Sequence, residues 1–194
     1  NLFPNAAKLP WFQVASPYLL AFYLHDTSSG MDDKYLETGW NFNFSRQGYL
    51  SFSYSLNNES WAGRTFAQKY FHASSSIQLT KWLNAHVCGG FGDSIYYDEL
   101  NPFLGKSWQL HAQATLQPVE KLNFLAELVH SGFKHADSGE KVYEVNILRS
   151  RLTYQFNKYL FVRALVQTDS YRHKVMSDLL ASFTLIPGTV IHLG

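Results

Sequence analysis

One cysteine, almost no net charge and no long apolar run: each shortage removes a class of protein. Cys88 stands alone among 194 residues, which excludes an internal disulfide and a zinc site built on a cysteine pair. The longest apolar stretch, Tyr18 to Leu24, falls far short of the ~18 residues that a membrane-spanning helix needs. A formal net charge of +1 with no basic run leaves no electrostatic footprint for nucleic acid. The opening Asn-Leu-Phe-Pro-Asn has neither a charged n-region nor an apolar h-region, so a secretion signal is expected upstream of these residues rather than within them.

What the chain does have is alternation. Leu50-Ser51-Phe52-Ser53-Tyr54-Ser55-Leu56 is apolar on one parity and hydroxylated on the other. A strand sends successive side chains to opposite faces, so this pattern builds a sheet with one oily wall and one wet wall. Similar segments recur, and about eleven strands of roughly ten residues are predicted, close to the ~9–11 that cross a bilayer at a tilt. Trp108, Leu110, Ala112, Ala114 and Leu116 oppose Gln109, His111, Gln113 and Thr115, while Leu160, Val162, Ala164 and Val166 oppose Arg163 and Gln167. Leu122–Val129 and Leu179–Ile186 also fit a helix face by periodicity alone, but flanking turn signals favour strands. The last predicted strand starts at Thr189 and runs to Gly194.

The punctuation separates two readings of such a sheet. Short turns are expected near Ser45–Gln47, Lys81–Leu83, Pro118–Lys121, Asn157–Lys158 and Pro187–Gly188. Longer polar loops are expected near Asp26–Lys34, Asn57–Arg64, Asp93–Lys106, Gly132–Glu140 and Asp169–Lys174. Turns at one rim and loops at the other, with Phe44, Tyr49, Trp82, Phe156 and Tyr159 beside the turns, fit an outer-membrane barrel with an interfacial aromatic girdle. The expectation is therefore an all-β, antiparallel up-and-down transmembrane β-barrel, incomplete in this chain, which forms part of a single barrel domain. The alternative is a soluble β-sandwich or small barrel. An odd strand count leaves open edges, and unpaired backbone groups in lipid cost several kcal/mol each, so the remainder of the same polypeptide is expected to complete the barrel.

Three stretches carry a family likeness: Gly92–Asp98 with Asn101–Gly105, then Ile147–Phe156, then Leu185–Gly194. They resemble the C-terminal barrel, a domain of unknown function, of large bacterial outer-membrane proteins that carry an N-terminal family-nine carbohydrate-binding-like domain. The likeness covers most of the chain from about Asn41 onward. It implies a signal peptide and a β-sandwich domain upstream, a continuation beyond Gly194, and a location in the bacterial outer membrane. Some members are labelled hydrolases, but the resemblance supplies no catalytic residues.

On the wet parity, His111, Glu127, Arg149, Arg151, Arg163 and Asp178 are candidate lumen-lining residues. Arginine facing lipid at mid-depth would cost about 2–4 kcal/mol, so these must point inward. They serve either as an ion-pair network bracing the wall or as an arginine ladder selecting anionic or sugar solutes. In the loop Asp93–Lys106, the binding candidates are Asp93, Tyr96, Tyr97, Asp98 and Asn101, since aromatic rings beside carboxylates and an amide suit sugar contact. The alternative for that loop is rim packing, with Asn-Pro setting a turn. No calcium-loop spacing occurs, and His130 and His135 are not spaced as a metal pair, so neither metal nor cofactor is expected. Gly-x-Ser-x-Gly is absent. Ser53, Ser74 and Ser76 share a wall with His72, His86 and His111, but serine is common in strand linings, so no catalytic residue is assigned. The reading is a pore or membrane anchor for an attached carbohydrate-binding-like domain, with outer-membrane lipid and possibly carbohydrate as partners. The alternative is an outer-membrane hydrolase acting on lipid or glycan.

Overall fold

The computed structural model describes residues 1–3, 9–27, 30–186 and 189–193. It is all-β, with eleven strands: β1 (Phe12–Asp26), β2 (Met31–Phe44), β3 (Gly48–Trp61), β4 (Arg64–Thr80), β5 (Leu83–Tyr96), β6 (Phe103–Val119), β7 (Leu122–His135), β8 (Lys141–Gln155), β9 (Leu160–Asp169), β10 (Lys174–Ile186) and β11 (Thr189–Leu193). They form one sheet in chain order, β1 through β11, so every strand lies beside its sequence neighbours. Both segments with ambiguous periodicity, in β7 and β10, are strands. The predicted turn at Pro187–Gly188 lies outside the described residues.

Register follows the parity read from the sequence. Leu36, Trp40 and Phe42 on β2 stand opposite Leu56, Phe52 and Leu50 on β3, while Glu37, Gly39 and Asn41 stand opposite Ser55, Ser53 and Ser51. A one-residue slip would exchange the two walls along the whole strand, so the alternation itself fixes the pairing. The serine wall continues onto β4, where Ser51 meets Ser74 and Ser53 meets His72.

Most of the expected long loops are shorter than predicted, because the strands run on. β4 and β6 reach 17 residues each. The segment Asn57–Arg64 is not a loop: β3 extends to Trp61, β4 starts at Arg64, and only Ala62 and Gly63 turn between them. Both have positive φ, 47° and 75°, the left-handed geometry that matches strand twist in a two-residue hairpin. The physical reason is that apolar alternation marks only the stretch with an oily wall, whereas the backbone ladder continues wherever a neighbour supplies hydrogen bonds. The connection from Tyr97 to Pro102 remains a genuine loop.

Exposure inverts the usual order. Along β3, Leu50, Phe52, Tyr54 and Leu56 are 36%, 36%, 43% and 40% exposed, whereas Ser51, Ser53 and Ser55 between them are half-buried. β8 repeats the pattern: Leu148, Leu152 and Tyr154 are exposed, and Arg149, Arg151 and Thr153 are half-buried. Among the described residues only Ala15, Ile95 and Phe133 are buried apolar residues, and no large side chain is fully buried. No second sheet is present among the described residues to cover the oily parity. Trp82, Phe156 and Tyr159 are exposed beside the short turns, whereas Phe44 is half-buried. Tyr49 sits on the serine parity and donates its hydroxyl to Asn41 at 2.9 Å.

The chain divides into two compact units: residues 1–76, 88–110 and 131–144, and residues 77–87, 111–130 and 145–194. In the first, glycines make room for rings from the adjacent strand. A Cβ on Gly39 would lie 2.8 Å from the Tyr18 ring, and one on Gly90 would lie 2.5 Å from the Tyr70 ring. Large rings laid over glycines restore the packing that a missing side chain forfeits in a strand.

Candidate functional site: a polar row and an aromatic rim

Within the second unit, half-buried polar side chains from β5 to β9 form a row that exposed Asp178 on β10 extends, because strand alternation returns each to the wet wall. The His111 Nε2 and Glu127 Oε1 atoms lie 2.9 Å apart. Arg149 donates from Nη1 to Glu127 Oε2 at 3.2 Å and from Nε to Gln167 Oε1 at 2.9 Å. Gln167 is the direct cross-strand partner of Arg149. Glu127, only 20% exposed, thus has both oxygens engaged, one by an imidazole and one by a guanidinium. His86 joins the row from β5, its ring 6.0 Å from that of His111 and inclined at 68°.

A second ion pair lies further along. Arg163 Nη2 reaches Asp178 Oδ2 at 3.2 Å, and the buried Arg163 Nε has no partner among the described residues. Arg151 takes part in no side-chain hydrogen bond or ion pair among the described residues, although it occupies the same half-buried parity as Arg149. Of the six residues singled out from sequence, five are joined in two clusters, His111–Glu127–Arg149 and Arg163–Asp178. Opposite charges dominate both clusters, so the row is largely self-neutralised, with Arg151 as the surplus cation.

The first unit carries an aromatic rim. Tyr97 packs edge-on against Trp61, with centroids 5.3 Å apart at 88°, and donates its hydroxyl to Glu59 Oε1 at 2.8 Å. Burial, then the hydrogen bond to the Glu59 carboxylate, pushes the Tyr97 phenol up to about 12. Glu59 Oε2 also accepts from Gln68 at 3.1 Å and Asn57 at 3.3 Å. Trp61 Nε1 donates to the Asp98 carbonyl at 3.3 Å, and Arg64 Nη1 donates to the Pro102 carbonyl at 3.1 Å, strapping the loop to the β3–β4 hairpin. Beside this hairpin lies a cleft of about 230 Å³, lined by Asp26, Met31, Asp33 and Trp61 among others.

The other loop candidates are spent on structure. Asp93 pairs with Lys106 and accepts the Lys69 amide at 3.1 Å. Tyr96 stacks on Phe103 at 4.8 Å. Asp98 accepts the backbone amides of Leu100 and Asn101 through one oxygen, both at 2.8 Å. The amide of Asn101 first, then that of Leu100, holds the Asp98 carboxyl below the ordinary carboxylate range. Of the five candidates, only Tyr97 joins an exposed polar-aromatic patch. Its partners Trp61 and Glu59 escaped sequence reasoning, although both lie in the polar segment Asn57–Arg64. The signal that could have found them was a tryptophan two residues after a glutamate in a predicted rim segment.

Ser53 stands opposite His72 across β3 and β4, but its hydroxyl bonds Tyr18 rather than an imidazole. No protein-family model, curated protein or solved structure matches the chain.

Proposed function

We propose that this chain is part of a bacterial outer-membrane β-barrel, of the kind it resembles, acting as a pore or as the membrane anchor of an attached carbohydrate-binding-like domain. The observation that carries this reading is the inverted exposure. A water-soluble sheet hides Leu and Phe and shows Ser, whereas β3 and β8 do the reverse. In lipid the same pattern is favourable, with the oily parity against acyl chains and the polar parity around a lumen. On β4 the outward residues Phe71 to Leu79 span eight steps, about 26 Å along the strand and about 20 Å along the membrane normal at the usual tilt. That covers most of an apolar band ~25 Å tall.

The two sheet edges support a second element of the proposal. Among the described residues, β1 and β11 each have a neighbouring strand on one side only. Unpaired N–H and C=O groups in hydrocarbon cost several kcal/mol each, so further strands of the same polypeptide close the barrel. At the β1 edge a short return by Leu2, bonded to Ala15, already pairs one position.

Pore and anchor differ in conductance. Reconstituted into planar bilayers, the full-length protein gives discrete conductance steps if it is a pore and none if the lumen is plugged. Recovery of the native protein with the inner membrane or the soluble fraction, rather than the outer membrane, would overturn both.

A further inference from the structure

We propose that Arg151 and Arg163 form a binding site on the polar wall for a small oxyanion, a carboxylate or phosphate group carried by a soluble solute. Both belong to the second compact unit, as does every other residue of this site. Arg163 on β9 is paired across the sheet with Thr153 on β8, and Arg151 with Leu165. The two arginines are therefore diagonal neighbours on one face, with Cα atoms about 7–8 Å apart, a spacing that long side chains bridge. Like charges so placed repel unless an anion lies between them.

Asp178 serves only one of the two. It stands opposite Leu165 and accepts from Arg163 Nη2 at 3.2 Å, through a single nitrogen of the guanidinium. Arg163 Nε is shielded from solvent and has no acceptor among the described residues, a costly state for a charged donor. Arg151 is half-buried and makes no side-chain hydrogen bond or ion pair among the described residues. Along this part of the wall three guanidiniums, on Arg149, Arg151 and Arg163, face two carboxylates, on Glu127 and Asp178, which leaves one positive charge over. Glu127 is already held by Arg149. An oxyanion between the two forks supplies the missing charge. It accepts paired N–H groups from Arg151 and lets Arg163 turn its Nε–H onto an oxygen, the two-bond geometry that guanidinium forms with carboxylate and phosphate. Water would satisfy a donor but not the charge. Thr153 offers a further hydroxyl donor, and the Leu165 side chain brings no competing acceptor. The site requires only that solvent reach the polar wall of β8 to β10, so it does not depend on the pore or anchor reading.

The test is titration of inorganic phosphate into the folded full-length protein, at constant ionic strength set with chloride and followed by phosphorus NMR linewidth. Saturable broadening is expected, reversed by acetate. Arg151→Gln should weaken binding by about 10-fold or more, the loss of one charge-assisted contact. Arg151→Lys, which keeps the charge and loses the fork, should recover only part of that affinity. Arg172→Gln, in the exposed β9–β10 turn, should bind as the unmodified chain does. Arg151 surrenders no contact in the wall, so its variants are expected to fold. As a second readout, phosphate should raise the thermal unfolding midpoint above that in chloride of equal ionic strength, in the unmodified chain but not in Arg151→Gln. Broadening that does not saturate, equal affinity in Arg151→Gln, or an equal loss in Arg172→Gln would overturn the proposal.

Discussion

Replacing Glu127 by alanine removes the only acidic member of the His111–Glu127–Arg149 cluster, and the structure fixes what this should cost. Two contacts disappear, one to His111 at 2.9 Å and one to Arg149 at 3.2 Å. Hydrogen bonds to charged groups contribute about 1.5–3 kcal/mol when sheltered, and exposed ion pairs about 0–1 kcal/mol. Arg149 is 43% exposed, which puts its pairing near the lower range, about 0.5–1 kcal/mol. The His111 contact is more sheltered and adds about 1 kcal/mol. Glu127→Ala is therefore expected to destabilise by about 2 kcal/mol. Arg149→Gln should cost less than 1 kcal/mol, because Gln167 can bond the new amide. The double variant should be milder than the sum of the two by about 0.5–1 kcal/mol, since the pair is lost once. Denaturant unfolding in detergent, followed by tryptophan fluorescence, measures all three. In a conducting channel, Glu127→Ala should move the reversal potential towards anions and Arg149→Gln towards cations. Strict additivity, a Glu127→Ala cost below about 0.3 kcal/mol, or shifts of the same sign would refute the cluster as a braced, self-neutralising pair.

Further outcomes follow from the same geometry. Phe52→Arg should cost about 2–4 kcal/mol in folded, membrane-inserted protein while Ser53→Arg costs under about 1, and equal costs would show that the two parities do not face different media. The Tyr97 phenol, raised to about 12 by burial and by Glu59, gives a contribution that is full below the unfolded value near 10 and is lost as pH climbs through 12. The difference between wild-type and Tyr97→Phe tyrosinate absorbance should therefore titrate near 12, and titration near 10 would refute the contact. Trp108 packs on Gly132, so Gly132→Ala forces the ring aside and should cost about 1–3 kcal/mol in thermal or denaturant unfolding. A neutral result there would show that the strands part easily.

Much of this fold was legible because alternation is a local signal. Leu50 to Leu56 announces a strand, its two walls and, through parity, the partners Ser53 meets. Strand ends were not legible. Asn57 to Trp61 carries no oily parity, yet it pairs with β4 residue by residue, and nothing in composition distinguishes a polar ladder from a polar loop. For the site, parity placed His111, Glu127, Arg149 and Asp178 on one wall, but which of them touch depends on the stagger between strands. The meeting of His86 with His111, 25 positions apart in sequence, is set by register and has no spacing signature. Tyr97 against Trp61 is harder still, because it depends on how a loop folds over a hairpin two strands away.

Site-directed spin labelling at positions 52 and 53, in a Cys88→Ser background, interrogates the two walls directly. Reconstituted in outer-membrane lipid, a label at Phe52 should be open to oxygen dissolved in the acyl chains and closed to a water-soluble nickel chelate. A label at Ser53 should show the reverse or be shielded from both. Chelate access at position 52, or a label there immobilised against protein and shielded from oxygen, would contradict the account.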